Sequence, residues 1–246
     1  MGGASRGARK RRQQASRPSP SPPPRRDNRV KVGIVVASVI AALIVGTLLL
    51  PLLWPDDPPA APTYPVATQG TVVIAGQPAA PVTVAIYEDF LCPTCERFEN
   101  RYGDEITTAL NDGRIKVEYH AVAILDARSD PPGYSTLAAN ASLCAASAGI
   151  WPAFHERLFA EQPAEDGPGL TPSQLAALGT ELGAGGDFAR CVEANSNADA
   201  VAAATSAAEV NPALQTDGQF GTPTITVEGR KVDASDPEWL QDATAQ

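Results

Sequence analysis

Two cysteines stand three residues apart in Glu88-Asp89-Phe90-Leu91-Cys92-Pro93-Thr94-Cys95. Thiols at that spacing can close a disulfide with each other and exchange it with another molecule. Whether they do depends on what holds them. The run before them, Val82-Thr83-Val84-Ala85-Ile86-Tyr87, is β-branched and aromatic and reads as a strand. After them Phe98, Tyr102, Ile106 and Leu110 recur every four residues, the spacing of one helix face. Cys92 is thereby expected at a helix N-terminus, where unpaired N–H groups and the helix dipole favour an anion. A thiolate is such an anion, so the Cys92 pKa should fall. Pro93 suits the first turn, where its missing N–H costs nothing. Asn111-Asp112-Gly113 reads as the helix end.

Two blander uses of the pair compete with exchange. A zinc site would need two further ligands. The chain offers His120, His155, Cys144 and Cys191, none in a second close pair, so no metal is expected. An inert bridge would not need the activating helix position.

The segment Tyr87 to Cys95 resembles the active-site segment of DsbA-like thioredoxin-fold oxidoreductases. Downstream, Phe220-Gly221-Thr222-Pro223-Thr224-Ile225-Thr226-Val227 resembles that family's cis-proline strand. The resemblance covers roughly Thr71 to Leu240. It implies that Cys92 attacks, that Cys95 resolves, and that Thr222-Pro223 is a substrate-facing cis-peptide. It also implies no metal or organic cofactor. Two positions depart from the family pattern. Thr94 stands where many relatives carry a thiolate-stabilising His. Ile86 stands where many carry a buried acid. Glu88 and Asp89 lie nearer, and either could serve proton transfer to Cys95; as strand-end acids they are also expected to be solvated, and that reading is slightly preferred.

The chain has 246 residues and a formal charge of −9, which hides an asymmetry. Residues 1–31 hold ten Lys or Arg and one acid, Asp27; of 19 basic and 28 acidic residues this leaves nine and 27, a formal −18. The first 28 residues are rich in Arg, Ser, Gly and Pro, with almost nothing apolar, and read as a disordered arm. Val32 to Leu50 carries no charge, and Leu52-Leu53-Trp54 extends it past Pro51. That length can cross a hydrocarbon core of about 30 Å. With the basic cluster kept inside, 32–54 reads as a single transmembrane helix, N-terminus cytoplasmic and body extracytoplasmic. The absence of a small-x-small site at Leu53-Trp54-Pro55 favours an uncleaved anchor over a signal peptide. Residues 55–69, with five prolines, read as a semi-rigid linker. The arm could contact nucleic acid, but the body is acidic, so no nucleic-acid partner is expected.

The domain is expected over 70–246, with Thr71-Val72-Val73-Ile74-Ala75 as its first strand. Ile115 to Leu125 is the next strand after the active-site helix, giving a βαβ unit. His120 falls on the polar side of its alternation and reads as a surface residue. A helical insertion is expected over about 130–212. Within it, Tyr134 to Gly149 is a helix, and His155 reads as half-buried in a short aromatic one. Thr171-Pro172-Ser173-Gln174 is a capping box, and Asp187 reads as a further cap. Cys144 and Cys191 lack a Cys-x-x-Cys context. They are expected to form a structural disulfide bracing two insertion helices, the alternative being a second redox pair.

These readings point to an α/β thioredoxin fold with an inserted helical subdomain, preceded by a transmembrane helix. The expected activity is disulfide donation to cysteine-containing secreted or envelope proteins by a monomer. The resemblance adds reoxidation by a quinone-coupled membrane partner of the DsbB or vitamin K epoxide reductase type. A reductase or isomerase, or a non-catalytic peptide-binding or sensor module, remains the alternative.

Overall fold

The computed structural model describes residues 61–245. The basic arm, the apolar stretch 32–54 and the first part of the linker lie outside them. Among the described residues no helix is long and apolar enough to cross a membrane.

Six strands form one sheet: β1 (Val66–Gln69), β2 (Val72–Gly76), β3 (Val82–Glu88), β4 (Ile115–Ala121), β5 (Thr224–Val227) and β6 (Arg230–Val232). Their spatial order is β1-β2-β4-β3-β5-β6. Strands β3 and β4 run parallel, because the helix α1 (Pro93–Asn111) crosses between them; every other pair is antiparallel. On β4 the expected alternation holds: Ile115, Val117 and Tyr119 are buried and Lys116, Glu118 and His120 are less so. The stripe Phe98, Tyr102, Ile106 and Leu110 faces the core. Fully burying such side chains contributes about 1.5–3 kcal/mol each. At the end of β2, Gly76 has φ of 105°, and a Cβ there would lie 2.8 Å from the Ile115 carbonyl oxygen; only glycine fits.

Between β4 and β5 come five α-helices: α2 (Tyr134–Ser147), α3 (Trp151–Ala160), α4 (Pro172–Glu181), α5 (Gly186–Glu193) and α6 (Ala198–Glu209). A final α7 (Trp239–Thr244) packs Trp239 and Leu240 inward. Helix α2 is buried over much of its length, including the polar residues Ser135, Asn140 and Ser142. Trp151 Nε1 donates to Ser142 Oγ at 2.9 Å, and Asn140 Oδ1 accepts from the backbone N–H of Asn197 at 2.9 Å. Thr171 and Gln174 form the expected capping box.

Several expectations are corrected. Residues 66–69, expected as linker, form strand β1, paired with β2 from Val66↔Ala75 to Gln69↔Val72. The stretch expected as the first strand is therefore the second. Strand β1 is an edge with mostly exposed side chains, so it carries no apolar alternation to announce it. The residues just before it are also fixed, since Asn111 Oδ1 accepts from the Thr63 N–H at 2.7 Å. Strand β4 ends at Ala121 rather than Leu125. The cap of α5 is Gly185, and Asp187 lies in its first turn. His120 is not a free surface residue but stacks on Tyr87, ring centroids 4.2 Å apart, and burial lowers its pKa to about 4.

Candidate active site

Helix α1 begins immediately after Cys92, which is its N-cap residue with extended backbone, and Pro93 occupies the first helical position. The Cys95 N–H donates to the Cys92 carbonyl at 3.0 Å, closing the first turn. Both thiols are free. Cys92 retains 7% exposure and Cys95 only 1%, so an incoming sulfur reaches Cys92 first.

Across from the turn lies the loop before β5, in which Thr222-Pro223 is cis. The Cys92 thiol donates to the Thr222 carbonyl oxygen at 3.4 Å. The Thr222 hydroxyl is buried and has no hydrogen-bond partner among the described residues. It is a ready donor once Cys92 loses its proton. These contacts set the acidity of the pair. The Cys95 thiol donates to the Cys92 sulfur; Thr222 and the N–H groups of Cys95 and Thr94 add to this, and together they outweigh burial. The Cys92 pKa is held down at about 5. Burial, reinforced by the neighbouring Cys92 sulfur, pushes the Cys95 thiol well up. The two sulfurs are thus driven apart in acidity, one an available thiolate and the other a protonated reserve. Thr94 is exposed and accepts from Arg97 Nη2 at 2.9 Å, so it leaves the thiolate to the backbone and Thr222.

Beneath the turn the acids at the end of β3 and just past it are buried, which overturns the reading of solvated strand-end groups: Glu88 is 3% exposed and Asp89 0%. Asp89 accepts from the N–H groups of Leu91 and Leu125, both at 2.9 Å. Burial nonetheless raises its pKa to about 6, and its own backbone N–H faces Cys95. Glu88 Oε1 sits 2.8 Å from His155 Nε2. His155 is not half-buried but 4% exposed, caged by Phe90, Tyr119, Trp151 and Phe159. Burial alone would lower its pKa; Glu88 and Glu99 outweigh it and raise it to about 9. The residues missed by the sequence reading include Gln162, whose Nε2 donates to the carbonyls of Phe90 at 3.1 Å and Cys92 at 3.2 Å. Its only sequence signal is a position just past the aromatic helix.

Cys144 and Cys191 are joined to each other, Cα atoms 5.9 Å apart, tying α2 to α5.

Comparison with known proteins agrees with the geometry. Residues 68–244 match the family model described as thioredoxin. Among solved structures, reduced DsbA from Mycobacterium tuberculosis is 29% identical with a TM-score of 0.59, covering 74% of this chain and 90% of that one. The MdbA thiol-disulfide oxidoreductase of Corynebacterium matruchotii gives a TM-score of 0.63 at 22% identity, a likeness of fold, covering 73% and 92%. Among curated proteins, the serine/threonine-protein kinase PknE of Mycobacterium tuberculosis is 33% identical over 174 residues, 68% of this chain. The chain spans only 30% of the length of that relative.

Proposed function

The chain belongs to the thioredoxin family; from this premise we propose that it is a DsbA-like protein thiol–disulfide oxidoreductase that donates disulfides to cysteine-containing secreted or envelope proteins from a membrane anchor. The observation that carries the direction of transfer is the acidity of Cys92. A thiolate stabilised to about pH 5 favours the reduced enzyme, and so makes its disulfide oxidising.

In the proposed cycle a substrate thiolate attacks Cys92 Sγ of the Cys92–Cys95 disulfide. The Cys92–Cys95 bond breaks, and the electron pair leaves on Cys95, which takes up a proton. Asp89, whose carboxyl is held near pH 6 by burial and whose backbone N–H faces Cys95, is the acid we assign to that transfer. A second substrate thiolate then attacks the substrate sulfur of the mixed disulfide and expels the Cys92 thiolate. The substrate leaves oxidised and the enzyme carries two electrons and a proton on Cys95. Thr222-Pro223 faces the attacked sulfur and positions the substrate chain.

The membrane reading rests on the charge-free stretch 32–54 behind a basic arm, which lies outside the described residues. It orients the domain extracytoplasmically, where Cys144–Cys191 is a bond that persists. A quinone-coupled membrane reoxidase would take the electrons. Labelling of the full chain in intact cells pretreated with a reductant, with a thiol reagent that cannot cross the membrane, tests this orientation; a Cys92 that is labelled only after the cells are lysed overturns it.

The reduction potential of Cys92/Cys95 against a glutathione series tests the activity. A value on the order of −120 to −180 mV is expected; one near −270 mV, as in thioredoxin, would assign a reductase instead. The kinase relative, of which such a domain is a minor part, favours a sensor as the second reading. A chain that oxidises no dithiol peptide and binds peptides equally well as Cys92→Ser would be such a sensor.

A further inference from the structure

A cavity of about 790 Å³ opens beside Cys92, bordered by Thr94, Thr222 and Pro223. Its floor is apolar, with Phe98, Tyr102, Ile225, Val232 and Ala234. Its rim is cationic. The described residues carry 25 acidic and nine basic side chains, yet three of those nine, Arg97, Arg101 and Lys231, line this one groove. Elsewhere Arg114, Arg128, Arg157 and Arg190 are each neutralised by Asp or Glu, and only Lys116 and Arg230 share with the groove cations the lack of such a partner among the described residues. The three groove cations have no carboxylate partner among the described residues. Instead Arg97 donates to the Thr94 hydroxyl, and Arg101 lies over the Tyr102 ring, 5.2 Å from its centroid. Lys231 donates to the Leu214 carbonyl at 3.0 Å and to the Thr216 hydroxyl. Asp233 is the one acid of the lining, and it is turned to Ser235 through the N–H and hydroxyl. Three positive charges without counter-charges around an apolar trough are therefore open to an anionic partner.

Resting on the disulfide-donor reading, we propose that this groove selects extended substrate segments with acidic side chains close to the reacting cysteine. A chain that brings its sulfur to Cys92 and runs past Thr222-Pro223 enters the groove directly. Arg97 and Arg101 are one helical turn apart, a rise of about 6 Å. Same-side residues of an extended peptide repeat at about 6.6 Å, so Glu or Asp at every second position meets both guanidiniums. The rest of the domain is acidic and repels such a peptide at long range. The preference is therefore local and screened by salt over about 8 Å at physiological ionic strength.

The test uses the full chain in detergent and three peptides, alike except for Glu, Gln or Lys at alternate positions beside one cysteine. Binding is read with serine in place of that cysteine, and mixed-disulfide formation with the cysteine present. At low salt the Glu peptide is expected to bind about 3- to 10-fold more tightly than the Gln peptide, and the Lys peptide more weakly still. High salt and Arg97→Gln/Arg101→Gln should erase the order, whereas Arg114→Gln/Arg190→Gln, an equal loss of charge elsewhere, should keep it. Equal binding of the three peptides, or equal loss in both double variants, overturns the groove assignment. Glu-selective binding without mixed-disulfide formation by any peptide keeps the groove and overturns the disulfide-donor reading.

Discussion

The molecule holds two pairs of cysteines in opposite chemical settings. Cys92 and Cys95 share one helical turn, open toward a cis-proline loop, with donors aimed at one sulfur. Cys144 and Cys191 stand 47 residues apart in sequence, on two different helices, and close a bond beside the packed polar cluster of Asn140 and Asn197. The first pair is supplied with what stabilises a thiolate and so favours opening of the bond. The second gains from staying closed, because the bond shortens the unfolded chain's reach. The same side chain is thus a reagent in one place and a brace in the other, and the surrounding donors and loop length decide which.

That contrast can be broken from either side. Cys92→Ser should abolish peptide oxidation, a loss of at least about 10³-fold in a dithiol-peptide assay, since no other thiolate is available to replace it. A retained rate would move the chemistry to the other pair. The buried pair beneath the turn should be the next most sensitive: Glu88→Ala leaves His155 without its nearest counter-charge and should cost about 3–5 kcal/mol in urea unfolding. Cys144→Ser/Cys191→Ser should cost about 2–4 kcal/mol while peptide oxidation persists; loss of turnover with the fold intact would make this pair a redox partner rather than a brace. Gln162→Ala, which frees the carbonyls of Phe90 and Cys92, should cost about 1 kcal/mol and shift the Cys92 thiolate titration, followed by absorbance at 240 nm.

The contrast also has a signature in pH. A thiolate held below its unfolded value stabilises the reduced protein fully above about pH 9, and this contribution is lost as pH falls through about 5. The reduced form should therefore unfold at higher denaturant than the oxidised form at pH 7, with the gap closing by pH 4.5. A gap independent of pH would refute the thiolate account. His155 has the opposite sign. Its raised pKa stabilises the fold fully below about 6.5 and loses that contribution as pH rises through about 9.

Much of the site was legible before the fold was known. The strand Val82–Tyr87, the four-residue stripe from Phe98 and Pro93 at the first helical turn specify locally where Cys92 must sit, and the helix begins there. Less legible was anything that depends on a partner far along the chain. Glu88 and Asp89 look like ordinary strand-end acids until α3 supplies His155 and the loop after β4 supplies the Leu125 N–H. Strand β1 has no apolar alternation and is a strand only because β2 offers it hydrogen bonds. Gln162 has no motif at all.

The sequence by itself determined a strand–Cys-x-x-Cys–helix unit, an acidic domain behind a basic arm and an apolar stretch, and a proline loop far downstream. Each is a matter of local propensity or composition, expressed within a few residues. Only the tertiary structure decided that the Thr222-Pro223 loop faces Cys92, that Glu88 and Asp89 are buried and what each of them meets, and that three cations without carboxylate partners gather beside Cys92. Those properties arise from distances between residues tens to more than a hundred positions apart. Burial and pairing at such distances are set by packing, and no local pattern encodes them.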